Sequence, residues 1–238
     1  RLQGALGDGA ARRVGVRLVA SSRPGYGGST DARSTLASIA GDASCLADQL
    51  GLTHFATLGV SGGGPFAIAT AATHPDRVIA VGVVAGIGPL LELDPDIRAQ
   101  PAVRASLAGV HEEAVALQDA ALTRVASPTT GLHVGTLVSP EVLEPWMPSG
   151  RPGLPTYRGV SRDALAHATG WDVDLAAVRA PVWLWYGDRD RSVGLEHGRW
   201  LHEHLPTSRL VVREGDGHLA TLMTHWTEIL SAIAEPAR

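Results

Sequence analysis

The sequence predicts an α/β fold: a mostly parallel β-sheet flanked by helices, with a helical lid inserted between its two halves. Three observations carry this reading. Short apolar runs of strand type alternate with stretches of helical periodicity near both ends of the chain. Several of those runs are continuously apolar, as in strands covered on both faces. The stretch between Pro89 and Asp174 breaks the alternation and holds nine of the 15 prolines.

The elements follow in order. Val14–Ala20 (VGVRLVA) is a β-rich run that leads into the loop Ser22–Gly28. Leu36, Ile39, Ala43, Leu46 and Leu50 recur at steps of three and four, one face of a helix, and Gly51 stands where a C-cap belongs. His54–Val60 (HFATLGV) reads as a buried strand. Gly62–Thr73 is small and apolar and reads as a helix, which His74-Pro75 ends. Val78–Val84 is a further buried strand. Within the Pro-rich stretch, Val110–Val125 has a helical pattern. The first pattern then resumes with strand Pro181–Tyr186, helix Gly194–Leu205 and strand Arg209–Arg213. Leu219, Leu222, Met223, Trp226, Ile229, Leu230 and Ile233 form a single helix face. The expected organisation is a first core part (1–88), a lid (89–174) and a second core part (175–238).

Composition narrows the function. With 45% hydrophobic and 18% charged residues, 238 residues suffice for a sizeable core. All 20 basic residues are arginine, so no Walker A lysine, lysine Schiff base or kinase-type ATP lysine is available. One cysteine, Cys45, allows neither an internal disulfide nor a Cys-based metal centre. The net charge is −4 and only Arg12, Arg13 and Arg17 cluster, so nucleic acid has no electrostatic footprint. The longest uncharged apolar stretch, Val78–Leu91, is broken by glycines and Pro89 and is too short to span a bilayer. No signal-peptide pattern is visible, and a cytoplasmic protein is expected. Neither a cofactor nor a metal is expected: His111-Glu112-Glu113 lacks the second His of HExxH. Gly86-Ile87-Gly88 is not completed to G-x-G-x-x-G, because position 91 is Leu.

Gly59-Val60-Ser61-Gly62-Gly63 fits G-x-S-x-G. Composition alone would produce roughly 0.2 such matches, so context must sharpen the signal. The motif lies where a predicted strand meets a predicted helix. A nucleophile elbow needs that strand–turn–helix geometry, with small neighbours so that strand and helix can approach. The Gly62 N–H, at the helix N-terminus, is then placed to stabilise an oxyanion. A serine nucleophile needs a base, and the base needs an orienting acid. His218 follows strand Arg209–Arg213 on the loop Gly215-Asp216-Gly217-His218 and is the best placed of ten histidines. Asp188 and Asp190 both follow strand Pro181–Tyr186, at the carboxyl end where open α/β sheets gather their chemistry. One of them is expected to be an ordinary turn aspartate. Trp146, Tyr157 and Trp171 are candidate substrate contacts from the lid, although lid aromatics more often serve packing.

These residues together resemble the α/β-hydrolase superfamily. The order Ser61, Asp190, His218 matches its order of nucleophile, acid and base, and Gly187-x-x-Asp190 resembles its acid loop, which selects Asp190 over Asp188. Arg23-Pro24-Gly25-Tyr26-Gly27-Gly28-Ser29 is similar to the RPGYGxS loop of bacterial members, and Ser61-Gly62-Gly63-Gly64-Pro65-Phe66-Ala67 to their elbow. The likeness covers nearly the whole chain, with Pro89–Asp174 at the place of the cap. Two departures stand out. Ser22 replaces the usual Asp before Arg-Pro-Gly, and no His-Gly loop precedes Val14. With Val14–Ala20 matched to the superfamily's fourth strand, an N-terminally truncated fragment is expected.

The resemblance implies a serine hydrolase that cleaves an ester, amide or related acyl bond of a small apolar substrate. Serine at the elbow disfavours the superfamily's dehalogenases and epoxide hydrolases, which use Asp there. The competing reading is a non-catalytic or impaired binding protein with the same fold. The partner expected in either case is a small molecule, with neither nucleic acid nor membrane involved.

Overall fold

The computed structural model describes residues 2–125 and 157–237. Among these, four strands form one sheet: β1 (Phe55–Val60), β2 (Val78–Val84), β3 (Val182–Gly187) and β4 (Ser208–Arg213). They lie side by side in chain order, and all three pairings are parallel. Parallel neighbours need crossovers, and helices supply them. The helices are α1 (Asp8–Val14), α2 (Leu36–Gln49), α3 (Gly64–Thr73), α4 (Leu90–Leu93), α5 (Pro101–Leu107), α6 (His111–Val125), α7 (Arg158–Ala168), α8 (Leu195–His204), α9 (Ala220–Met223) and α10 (Trp226–Ala234).

The period of two along each strand sorts side chains onto the two faces. Val182, Leu184 and Tyr186 of β3 join Val81 and Val83 of β2, Ile68 and Ala71 of α3, and Leu201 of α8 in one core. Trp183 and Trp185 point the other way, with Ala80 and Val84, onto α1 and α10. Both faces of β2 and β3 are covered, which accounts for their continuously apolar sequences, whereas β1 and β4 at the edges are only partly buried. Helix α3 is buried along Gly64–Ala72, so its apolar residues run all round rather than in a stripe. Helices α5, α6 and α7, which lie in the chain between β2 and β3, share a smaller core of Ile97, Val103, Val115 and Leu165.

Helix ends follow local rules. Thr35 caps α2 in a reciprocal pair with Ser38, and Gly51, just beyond its end, takes φ 69°.

Two expectations are corrected. Val14–Ala20 is not a strand. Val14 ends α1, Gly15 takes φ 78°, and the following residues form no ladder. The alternation is nevertheless real: Val14, Val16 and Leu18 pack into the core formed with α1 and α10. Apolar alternation was satisfied by side-chain burial without backbone pairing. The last apolar face is two helices, not one. The chain breaks at Thr224 and His225, and the His225 ring bonds Asp216 at 2.9 Å. Periodicity survives the break because α9 and α10 cover the same core.

Leu184 is fully buried at the centre of the sheet, whereas Val19 is 43% exposed. Leu184→Ala is expected to lose about 3 kcal/mol in denaturant unfolding, and Val19→Ala less than about 0.5 kcal/mol.

Candidate active site

Parallel strands bring their carboxyl ends to one edge of the sheet, and the loops that follow β1, β3 and β4 carry Ser61, Asp190 and His218. Ser61 opens a single 3₁₀ turn (Ser61–Gly63) between β1 and α3. Its φ of 53° lies in the left-handed region, which costs a serine about 1–3 kcal/mol. The surroundings hold it there. The Ser61 carbonyl accepts the Ile87 N–H at 3.2 Å from the loop after β2. A Cβ on Gly59 would stand 2.2 Å from the Gly63 carbonyl oxygen, so only glycine fits. Gly63 has open space at the same test. The two outer glycines of G-x-S-x-G therefore differ in necessity. Gly62 lies in the first turn, where backbone N–H groups have no acceptor within the helix.

Asp190 and His218 meet. His218 Nδ1 lies 2.7 Å from Asp190 Oδ2, and the Asp190 side chain is fully buried. Asp190 Oδ1 accepts the backbone N–H groups of Ser192 at 2.8 Å and Val193 at 3.0 Å. The carboxylate is thus held from both sides. Facing it, Nδ1 is the ring nitrogen that donates, its N–H directed at Asp190 Oδ2. Asp188 does something else: its Oδ1 accepts the Gly215 N–H at 2.7 Å, tying the β3 loop to the turn after β4. Arg189 N–H reinforces that tie through the Asp216 carbonyl at 3.0 Å. Ser61 Oγ has no hydrogen-bond partner among the described residues, His218 included.

Of the three candidate aromatics, Trp146 lies outside the described residues. Tyr157 caps α7, and its N–H donates to Asp119 at 2.5 Å. Trp171 sits edge-on to Trp200 at 6.4 Å and packs, with Val173, against the α2–α3 core. Neither hydrogen-bonds to nor stacks on Ser61, Asp190 or His218.

A second set of polar residues borders the Ser61–Gly63 turn, and the sequence reading missed it. Helix α7 buries Arg162, Asp163 and His167. Asp163 Oδ2 accepts Arg23 Nε at 3.0 Å, Arg23 Nη2 at 2.5 Å and the Tyr26 hydroxyl at 2.7 Å. Burial, then the Asp163 charge, pushes the Tyr26 phenol far above its usual value. Gly25 and Gly159 bring the loop and helix backbones together, for a Cβ on Gly25 would lie 2.8 Å from Gly159 Cα. One turn beyond Asp163, the His167 ring lies against Phe66, with ring centroids 5.2 Å apart. Its Cε1 is 3.1 Å from where a Gly62 Cβ would stand. The available signal was the spacing of Asp163 and His167 at i and i+4, a polar stripe on a helix of small residues.

Burial lowers the His167 pKa to about 4; Arg23 adds to the shift, while Asp163 and the Gly62 backbone oppose it. On the outer side of α7, Arg162 and Arg158 both pair with Asp31 at 2.5 Å and hold its carboxyl below the usual range.

The α/β hydrolase fold family matches residues 3–222. An α/β hydrolase fold protein from Nakamurella multipartita is similar at 25% identity over 96% of this chain and 89% of its own, with a TM-score of 0.61. An esterase from Exiguobacterium antarcticum is similar in fold at 17% identity, over 99% and 88% of the two chains, with a TM-score of 0.60. An enol-lactonase from Burkholderia xenovorans LB400 is similar in fold at 21% identity, over 90% and 78%, with a TM-score of 0.55. No curated protein matches the chain.

Two outcomes are expected from this geometry. Gly59→Ala should lower the melting temperature sharply or prevent folding, whereas Gly63→Ala should melt like the parent, as scanning calorimetry would show. The second concerns pH. Because the folded His167 pKa lies below the unfolded value, its stabilising contribution is full above about pH 6.5 and is lost as pH falls towards 4. Denaturant unfolding should therefore weaken by roughly 2 kcal/mol more between pH 7 and 5 in the parent than in His167→Phe.

Proposed function

This chain belongs to the α/β hydrolase fold family, and we propose that it is a serine hydrolase that cleaves an ester or related acyl bond through Ser61, His218 and Asp190. The observation that carries the reading is the contact of His218 Nδ1 with the buried Asp190 carboxylate at 2.7 Å. It lies on the loops at the edge of the sheet where Ser61 occupies its left-handed turn. An imidazole held in one tautomer by a carboxylate is a base awaiting a hydroxyl.

In the proposed reaction His218 Nε2 takes the Ser61 proton as Oγ attacks the substrate carbonyl. The carbonyl oxygen becomes an oxyanion, and the Gly62 N–H at the start of the elbow helix stabilises it. The new C–O bond to Ser61 forms, and His218 returns the proton to the departing group. A water then attacks the acyl-serine with His218 again as base, the acid leaves, and Ser61 regains its proton. Asp190 stays ionised throughout and stabilises the charged imidazole. Asp188 has no part in this, because its carboxylate is committed to the Gly215 turn. A small-molecule acyl compound is the implied partner.

The competing reading, a binding protein with this fold, draws on one observation: Ser61 Oγ forms no hydrogen bond to His218. Catalytic hydrogen bonds commonly tighten only once substrate is bound, so that observation is compatible with either reading. A fluorophosphonate probe separates them. The parent chain should be labelled at Ser61, and Ser61→Ala should be neither labelled nor active on a p-nitrophenyl ester. Asp190→Asn should slow turnover by about 10⁴, whereas Asp188→Asn should remain close to the parent rate and lose stability instead. An unlabelled parent, or a Ser61→Ala chain that still turns over the ester, would overturn the serine mechanism.

A further inference from the structure

The apolar face from Leu222 to Ile233 keeps its helical period, yet the helix stops at Thr224 and His225. Breaks of this kind usually fall at proline or glycine, and neither stands here. A contact with another segment supplies the cause. At φ −116° and ψ 14°, His225 leaves the helical region, and its ring reaches the turn after β4. There His225 Nε2 lies 2.9 Å from Asp216 Oδ2. A carboxylate only accepts, so the ring donates. Asp216 stands two residues before His218. The His225 Nδ1 faces Glu228 at 3.8 Å, a carboxylate that also pairs with Arg213 of β4.

The backbone around Asp216 is tied as well. Its carbonyl accepts the Arg189 N–H at 3.0 Å, and a Cβ on Gly187 would lie 2.2 Å from that oxygen. The Gly217 carbonyl accepts the Thr221 N–H at 3.1 Å and its hydroxyl at 2.9 Å. Asp190 is fixed without help from His218, by the Ser192 and Val193 N–H groups. The His218 ring makes one hydrogen bond among the described residues, to Asp190. That bond therefore depends on where the loop holds His218. The bond between Asp216 and His225 is the side-chain tie from this loop to the break between α9 and α10.

We propose that His225 is a positioning residue: through the Asp216 carboxylate it fixes the loop that carries His218, and so maintains the His218–Asp190 contact on which the base depends. This rests on the reading of His218 as the base. Both partners are partly exposed, with 23% and 19% of their side chains accessible, and pairs of that kind add little to stability. Position is another matter, because a displacement of about 1 Å can cost a catalytic group about 10²-fold in rate. The loss belongs on kcat and not on KM, since the base serves the chemical step and not binding.

The test uses His225→Phe, which keeps a ring without the donor, His225→Gln, which keeps an N–H, and Asp216→Ala. Turnover of a p-nitrophenyl ester and fluorophosphonate labelling are measured, with calorimetry to confirm the fold. Nitrogen NMR of the His218 ring reports which nitrogen carries the proton, whether or not the chain turns over an ester. His225→Phe should lose roughly 10- to 100-fold in kcat with KM within about twofold, and its His218 should lose the form protonated at Nδ1 alone. His225→Gln should recover most of both. Asp216→Ala should match His225→Phe, and the double variant should be no slower than either. Asp216→Ala carries the test if His225→Phe does not fold. An unchanged kcat, a loss confined to KM, losses that multiply in the double variant, or a His218 ring that keeps its Nδ1 form in a folded variant each overturns the proposal and leaves the nucleophile standing. A parent neither labelled nor active overturns the serine reading, while the His218 spectra still decide whether His225 holds that ring.

Discussion

At residue 59 there is no room for a side chain, because the end of β1 and the start of α3 touch there through Gly59 and the Gly63 carbonyl. Close approach of strand and helix forces the chain between them to reverse within one residue. Ser61 does so at φ 53°, an unfavourable conformation for a residue with a Cβ. The same crowding extends inwards. Gly64 lies against Gly86, whose carbonyl accepts the buried Tyr186 hydroxyl at 2.7 Å. Tyr186 belongs to β3, four residues before Asp190. A short series of contacts through backbone and one aromatic ring thus links Ser61 to the strand that carries Asp190. None of its members is free to move alone, and the geometry of the candidate site follows from that.

Helix α7 is positioned differently, by charge. Arg23 and Tyr26 converge on one oxygen of Asp163, whose side chain is buried, while 30% of the Arg23 side chain stays exposed. Taking an ion pair out of water costs several kcal/mol per ion, and the attraction recovers it only when geometry and hydrogen bonds are good. Such pairs contribute little net stability, but an unpaired member costs much more, so they reject alternative placements of the helix. Arg162 and Arg158 add an outer set with Asp31 and Glu112. Between the two sets, α7 has one seat, and that seat brings His167 to Gly62. The RPGYG loop, away from the proposed reaction itself, serves as the clamp for that seat.

The loops after β3 and β4 act as one unit. Asp188 and Arg189 reach the second loop through Gly215 and the Asp216 carbonyl, and Asp190 reaches it through His218. A Cβ on Gly187 would lie 2.2 Å from the Asp216 carbonyl oxygen, so this junction also needs a glycine. Two aspartates two residues apart have opposite tasks. One satisfies a turn and the other faces an imidazole, because β3 ends at Gly187 and the chain turns at Asp188 and Arg189, so strand alternation no longer sets the direction of either side chain.

Strand and helix periodicity were legible in the sequence wherever burial imposes them. The four sheet strands and α2, α3, α6 and α8 follow their apolar patterns to within a few residues. The position of the turn carrying Ser61 and of the loops carrying His218 and Asp190 was legible too, since local turn chemistry and chain order suffice to place them at strand ends. Val14–Ala20 misled because apolar alternation reports which side chains are buried and says nothing of whether the backbone pairs; here the burial is against α1 and α10. The choice between Asp188 and Asp190 came from family resemblance, and only the folded chain gives it a physical basis, in the turn one holds and the imidazole the other meets. His167 and Asp163 were not legible as a site. Their importance lies in contacts with Gly62 and Arg23, 105 and 140 residues away in sequence respectively. The sequence by itself determined the layered α/β architecture and the order of the chemical residues, because both follow from local periodicity and turn rules. Tertiary structure alone decided which buried polar groups are paired and which are left open, because pairing depends on distances between segments that no local pattern records.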